Sequence, residues 1–130
     1  MNHPFLVGTF AVLLTVLIVT ETRRGGRSVS VQELTTLVNQ EHAVIVDLRD
    51  KKEFGTGRIT GAINIPLANL ESRMGELDKH KSSPIILVDA MGQQAGSAGR
   101  QLRAAGFENV MRLNGGISSW KESSLPLVKS

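Results

Sequence analysis

The sequence of 130 residues contains no cysteine. A cysteine thiolate is needed for thiol catalysis, for carrying sulfur as a persulfide and for thiolate metal ligation, and cysteine pairs form disulfide bonds. The composition therefore excludes all four. Because a chain without cysteine is compatible with every redox compartment, its absence does not indicate a location.

Aromatic residues and metal-ligand patterns are also scarce. Aromatic side chains make up 4% of the chain, and His3, His42 and His80 are isolated from one another. The sequence pI is about 9.7, but part of the positive excess comes from Arg23, Arg24 and Arg27, and the charges elsewhere nearly balance. With no basic stripe and few aromatics, we expect neither nucleic-acid binding nor a metal site.

Residues 2–20 contain no Asp, Glu, Lys or Arg, and residues 4–19 are almost entirely apolar. A helix of that length spans roughly 24 Å, near the lower limit for crossing a bilayer. A cleaved signal peptide is the alternative, but it requires a basic start and a small-x-small cleavage site, and the sequence offers neither. We predict a transmembrane anchor at residues 1–20, a linker at 21–27 and one domain at 28–130.

The flanks of this segment predict its orientation. Arg23, Arg24 and Arg27 follow it, whereas only the terminal amine and His3 lie before it. By the positive-inside tendency, the N-terminus points out of the cell and the domain is cytoplasmic, which in a bacterium means the inner membrane. We also expect the three arginines to contact anionic lipid headgroups.

After the linker, apolar runs alternate with amphipathic segments. Ser30 and Glu33 form a capping-box pattern that predicts a helix with Leu34, Leu37 and Val38 on its inner face. The predicted strands are residues 43–48, 61–66, 84–89 and 109–113. A short helical turn begins at residue 50 and is ended by Gly55 and Gly57, and a helix follows around residues 70–77. The next predicted helix ends at Gly106 and has one face formed by Ala95, Ala98, Leu102 and Ala105. The last predicted helix covers residues 115–120.

Alternating strands and helices predict a three-layer α/β/α domain with a largely parallel sheet. Such sheets carry their functional loops at the carboxyl ends of the strands. Two of these ends carry polar residues, at 47–50 and 89–94.

Several motifs of this region resemble the rhodanese-like domain family in their order and spacing. They are D-x-R at Asp47 and Arg49, followed by Glu53; G-x-I-x-G-A at residues 57–62, followed by Asn64 and Pro66; A-G-F at residues 105–107; and Gly115, Gly116 and Ile117 followed by Trp120. The resemblance covers residues 28–127. It implies a rhodanese-like fold.

The resemblance also implies which chemistry is missing. In catalytic members a cysteine ends the fourth strand and carries sulfur as a persulfide, and it precedes the glycine of A-G-F by seventeen residues. Counting back from Gly106 reaches Asp89. Gly92 keeps the family glycine, whereas the family arginine corresponds to Gln94 and the family serine to Ala95. The resemblance therefore implies a member without the sulfurtransferase nucleophile or its anion-binding arginine.

Two roles are open for Asp89. A carboxylate can act as a nucleophile toward phosphoryl or glycosyl groups, but it then needs a metal ion or cations that gather the substrate. No such group lies near it in the sequence. The favoured interpretation is that Asp89 caps N–H groups of its own loop or of the helix that follows.

Asp47 and Arg49 also allow two interpretations. Side chains two residues apart in a strand share a face, so the two can form an internal ion pair or bind loop carbonyls. The alternative is an acid/base pair. The resemblance implies a structural role.

We therefore predict a membrane-anchored rhodanese-like domain protein that is catalytically inactive, needs no cofactor and binds an unidentified, membrane-associated protein. The predicted binding residues are those of the degenerate loop: Asp89, Ala90, Met91, Gly92, Gln93 and Gln94. One alternative is a sulfurtransferase-related enzyme or sulfur-relay accessory with another nucleophile. The other is a structural role of the transmembrane helix, with Gly8 and Ala11 as a weak packing motif.

Overall fold

The computed structural model describes residues 26–129, which form an α/β fold. The strands are β1 (Arg27–Val29), β2 (Val44–Asp47), β3 (Ile63–Asn64), β4 (Ile85–Val88) and β5 (Val110–Leu113). The α-helices are α1 (Val31–Glu41), α2 (Lys51–Thr56), α3 (Leu70–Arg73), α4 (Ala95–Ala104) and α5 (Gly116–Glu122). Two 3-10 segments, Leu67–Asn69 and Met74–His80, flank α3.

The five strands form one sheet in the order β1-β5-β4-β2-β3, and every neighbouring pair is parallel. All four residues of β4 are buried, as expected for a central strand covered on both faces. Because the strands are parallel, their carboxyl ends lie at one edge of the sheet. The chain enters β1 at the opposite edge.

The buried side chains form two clusters, and successive strand residues alternate between them. Ile86 belongs to a cluster with residues of α1 and α5, whereas its neighbours Ile85 and Leu87 belong to a cluster with residues of α3 and α4. This alternation follows from the pleat of a strand, whose side chains point to opposite faces in turn. The predicted α/β fold with a parallel central sheet is confirmed.

The capping box at the start of α1 is also confirmed. The Ser30 hydroxyl accepts a hydrogen bond from the Glu33 N–H at 3.0 Å, and the Glu33 carboxylate accepts one from the Ser30 N–H at 3.4 Å. On the inner face, Leu34 is buried and Leu37 and Val38 pack against the core while partly exposed.

The first strand was not predicted, and it begins inside the stretch assigned to the linker. Arg27 is the first residue of β1, which pairs with β5. The Arg27 guanidinium donates to the Glu33 carboxylate at 2.9 Å, and this hydrogen bond lowers the pKa of Glu33. Arg23, Arg24 and the predicted anchor at residues 1–20 lie outside the described residues. Within residues 26–129, every helix is too short to cross a bilayer.

Three helix predictions need correction. The helix expected around residues 70–77 is α-helical only to Arg73 and continues as a 3-10 helix, whose three-residue repeat places Met74 and Leu77 on one side. Ala105 is exposed rather than on the buried face, because α4 ends at Ala104. Gly55 lies inside α2, which ends at Thr56. Gly106, the predicted end of this helix, has φ +100°, in the left-handed region that glycine adopts easily at the end of a helix.

Candidate functional site

The loop of residues 89–94 connects the carboxyl end of β4 to α4, and Asp89 organises it. The Asp89 side chain is buried, and its carboxylate accepts hydrogen bonds from three backbone N–H groups. The donors are Gly92 at 2.5 Å, Gln94 at 2.6 Å and Ala95 at 2.9 Å. The predicted capping role of Asp89 is confirmed.

These hydrogen bonds decide what else the loop can hold. N–H groups at the start of a helix favour an anion because their dipoles point toward it. Here the carboxylate of Asp89 is that anion, covalently part of the loop. The N–H groups of Gly92, Gln94 and Ala95 are therefore already occupied by the chain itself.

Helix α5 braces the same loop from the other side. The Ile117 N–H donates to the Asp89 carbonyl at 2.8 Å, and the Ser118 N–H donates to the Ala90 carbonyl at 3.0 Å. The approach requires glycine at position 116, where φ is +59° and a Cβ would overlap the Asp89 carbonyl. A Cβ at Gly92, where φ is +88°, would lie 2.9 Å from the Gly115 nitrogen. The sequence motifs contain these glycines, but only the structure shows what they contact.

Asp47 and Arg49 form a buried ion pair after β2. Arg49 Nε donates to Asp47 Oδ1 at 3.0 Å, Arg49 Nη2 donates to Asp47 Oδ2 at 2.8 Å, and Nη2 also donates to the Gly57 carbonyl at 2.7 Å. Asn64 Nδ2 donates to the carbonyls of Asp47 and Arg49, at 3.1 and 2.9 Å, which fastens β3 to the same turn. The predicted internal ion pair is confirmed. The role of Asn64 was missed, because it depends on the pairing of β3 with β2.

The two predicted loops meet at a cleft of about 600 Å³ at the carboxyl edge of the sheet. A third wall, formed by residues 66–68, was not predicted, although its position directly after β3 was a usable signal. The lining residues are Leu48, Arg49, Asp50, Glu53, Pro66, Leu67, Ala68, Asp89, Ala90, Met91, Gln93 and Gln94. Of the predicted loop residues, Gly92 does not line the cleft. It turns the chain instead.

The cleft combines apolar, amide and carboxylate groups. Met91 is 63% exposed at its mouth, and the side chains of Gln93 and Gln94 border it. A smaller cleft of about 160 Å³ adjoins it, sharing Arg49, Glu53 and Ala90 and adding Ile117, Ser118 and Lys121. Among residues 26–129, no group of three or more acidic or histidine side chains is placed to hold a metal ion.

Known proteins with the same fold were found by sequence and by structure. The model of the rhodanese-like domain family matches residues 30–123. The chain is similar to the uncharacterized protein YibN of Escherichia coli K12, with 38% identity over 98% of this chain and 92% of that protein. It is also similar to thiosulfate sulfurtransferase GlpE of Shewanella oneidensis, with 33% identity over 75% of this chain and 95% of that protein.

A solved structure agrees with these sequence relatives. The crystal structure of the Alr3790 protein from Anabaena superposes with a TM-score of 0.69 and 31% identity, over 78% of this chain and 80% of that one. The match to the family model covers more than half of the sequence and includes both the Asp47–Arg49 turn and the loop of residues 89–94. The chain therefore belongs to the rhodanese-like domain family.

Proposed function

We propose that this protein is a catalytically inactive rhodanese-like domain protein, anchored in a membrane, that binds a protein partner through the loop of residues 89–94. The observation that carries the proposal is the Asp89 carboxylate, which fills the N–H cradle of its own loop. The loop keeps its shape without the group that would perform sulfur transfer.

The groups at the loop support the proposed loss of catalysis. The chain contains no cysteine, so no persulfide can form on it. To act as a nucleophile, Asp89 would have to leave three N–H donors unsatisfied in a buried site, which is costly. Its negative charge would also repel an anionic substrate such as thiosulfate.

The binding role is supported by what surrounds the loop. Met91 is the most exposed large apolar side chain in the described part of the chain. It stands at the mouth of a cleft whose lining also includes Pro66 and Leu67. A flexible thioether beside an apolar wall is typical of surfaces that adapt to a protein partner.

The proposed anchor leaves this cleft accessible. The chain enters the sheet at β1, at the edge opposite the carboxyl ends where the loop lies. An anchor at residues 1–20, with Arg23, Arg24 and Arg27 near the headgroups, would hold the domain from that opposite edge on the cytoplasmic side. Tethering to the bilayer would raise the effective concentration of the domain for membrane-associated partners.

Site-specific crosslinking of the full-length protein in its native membranes tests the binding role. Because the natural chain lacks cysteine, a single Gln93→Cys substitution creates a unique thiol on the cleft. Gln40→Cys is the matched control, an exposed glutamine near the end of α1 at the opposite edge. We expect a discrete protein adduct from position 93 and none from position 40, with a lower yield when residues 1–20 are deleted. Equal labelling from both positions, or no adduct from position 93, would refute the binding role.

The alternative is a sulfurtransferase-related function, which the relative named thiosulfate sulfurtransferase supports. A thiosulfate-to-cyanide assay of the purified protein distinguishes the two, and we expect no turnover. The double substitution Asp89→Cys with Gln94→Arg restores the family nucleophile and anion-binding arginine, and we expect measurable activity from it. Turnover by the unmodified protein would overturn the proposal.

A further inference from the structure

We infer that the cleft binds a basic, amphipathic segment of a membrane protein, with a lysine or arginine against Asp50 and Glu53 and an apolar side chain against Met91 and Leu67. This inference rests on the proposed function and specifies the chemistry of the partner. It reverses the charge preference expected of a loop built to hold an anion.

The charges that line the cleft leave two carboxylates available. Of the four charged lining residues, Arg49 is paired with Asp47, and Asp89 is buried with its carboxylate occupied by N–H donors. Asp50 and Glu53 are exposed. The Asp50 side chain accepts from the Glu53 N–H at 3.2 Å and keeps its second oxygen free of described partners, and the Glu53 carboxylate has no hydrogen bond or ion pair within residues 26–129.

An anionic ligand has no comparable place in this cleft. The backbone donors that would receive it are filled by Asp89, and Arg49 is neutralised by Asp47. Lys121 lines only the smaller adjoining cleft. A ligand in the large cleft therefore meets an excess of negative charge beside an apolar wall, and a cationic, amphipathic segment is its electrostatic complement.

Such segments are common where the protein is proposed to reside. Cytoplasmic loops of membrane proteins carry an excess of lysine and arginine close to their apolar spans. A juxtamembrane segment of this kind presents cationic and apolar side chains in short succession. Its cationic side chains would match the carboxylates of Asp50 and Glu53, and its apolar side chains would match Met91 and Leu67.

The test uses the full-length protein in nanodiscs of neutral phosphatidylcholine, so that lipid charge does not compete for the probe. The probe is a short fluorescent peptide of alternating lysine and leucine, and the matched peptide carries glutamate in place of lysine. Fluorescence anisotropy, corrected with empty nanodiscs, measures binding. We expect the lysine peptide to bind more tightly and to weaken with added salt. Equal affinity for both peptides, or tighter binding of the glutamate peptide, would overturn the inference.

Two double variants assign the effect to the cleft. Asp50→Asn with Glu53→Gln removes both charges while asparagine keeps the helix cap, and we expect the affinity for the lysine peptide to fall about tenfold, since two exposed ion pairs are lost. Glu71→Gln with Glu108→Gln removes two exposed carboxylates that do not line the cleft, and we expect it to bind like the wild type at equal ionic strength. Equal affinity of the two double variants would contradict the inference.

The crosslinking experiment separates this inference from the proposed function. If the Gln93→Cys adduct forms in membranes and is undiminished by Asp50→Asn with Glu53→Gln, the loop binds a partner but does not use these charges, and only the inference fails. If no adduct forms from position 93, the proposed function itself fails. We expect the adduct to form and its yield to fall with the double substitution.

Discussion

Two buried aspartates lie at the ends of neighbouring strands, at the carboxyl edge of the sheet, and their carboxylates have different hydrogen-bond partners. Asp47 ends β2 opposite Val88, and Asp89 directly follows that residue. Both are almost completely buried, at 1% and 2% exposed. Asp47 is paired with a cation, the guanidinium of Arg49, whereas Asp89 is bound by backbone N–H groups of its own loop.

The difference explains how the anionic group of the loop after β4 can change while the fold persists. Arg49 requires Asp47, because a buried guanidinium without a carboxylate is strongly destabilising. The N–H cradle after β4 requires only an anion, and several groups can provide one. The turn after β2 is therefore a fixed part of the scaffold, and the loop after β4 is a position where one anionic group can replace another.

Asp47→Ala is expected to have the largest effect of any substitution at this edge. It leaves the Arg49 guanidinium buried without its carboxylate, which costs about 3–5 kcal/mol in the free energy of unfolding. Chemical denaturation of the full-length protein measures the loss. Asp47→Ala combined with Arg49→Met removes both charges, and we expect it to be less destabilised than Asp47→Ala alone. A smaller loss for Asp47→Ala than for Asp89→Ala would contradict the comparison.

Gly116→Ala is expected to disrupt the packing of α5 against the loop of residues 89–94. Alanine would have to adopt φ +59° with its Cβ against the Asp89 carbonyl, so we expect a loss of roughly 2–3 kcal/mol. The matched control is Gly55→Ala, because Gly55 lies inside α2 and a Cβ added there would meet no other atom within 4 Å. There the substitution is expected to stabilise by about 0.5–1 kcal/mol. Thermal unfolding of both variants measures the two changes in stability, which are expected to have opposite signs.

Asp89→Ala tests whether the cradle accepts another anion. Removing the carboxylate leaves three N–H donors unsatisfied, and we expect a loss of about 1–3 kcal/mol, less than for Asp47→Ala because water or an ion can enter. Added sulfate should then stabilise the variant more than it stabilises the wild type, whose cradle is filled. Because sulfate also stabilises proteins generally, the comparison is made at equal sulfate concentration. Equal stabilisation of both proteins would show that the cradle collapses when Asp89 is removed.

Local signals in the sequence predicted most of this edge. The β-branched runs located β2 and β4, the Ser30–Glu33 pattern located the start of α1, and the position of Asp89 before a helix predicted its capping role. Each of these features depends on residues that are close together in the chain. For that reason the sequence alone was sufficient.

The features that were missed depend on contacts between distant segments. β1 is three residues long and is defined by its pairing with β5. The support of the loop by α5 joins Asp89 and Ala90 to residues 117 and 118, and the wall at residues 66–68 belongs to the cleft only because β3 pairs with β2. The change to a 3-10 helix after Arg73 accompanies burial of Leu77. No local pattern specifies β1, the support by α5 or the change to a 3-10 helix, whereas the position of residues 66–68 directly after β3 was a local signal that they could line the cleft.

Asp50 provides the smallest expected effect and a third case for the comparison. It is exposed, and its side chain caps the start of α2 by accepting one hydrogen bond from the Glu53 N–H at 3.2 Å. Asp50→Ala removes this cap and should cost about 0.5–1 kcal/mol, whereas Asp50→Asn keeps it and should change stability very little. Parallel denaturation curves of the two variants measure the difference. If Asp50→Asn were as destabilised as Asp50→Ala, the charge rather than the cap would stabilise α2, and the use of Asp50→Asn as a fold-neutral probe of the cleft would have to be abandoned.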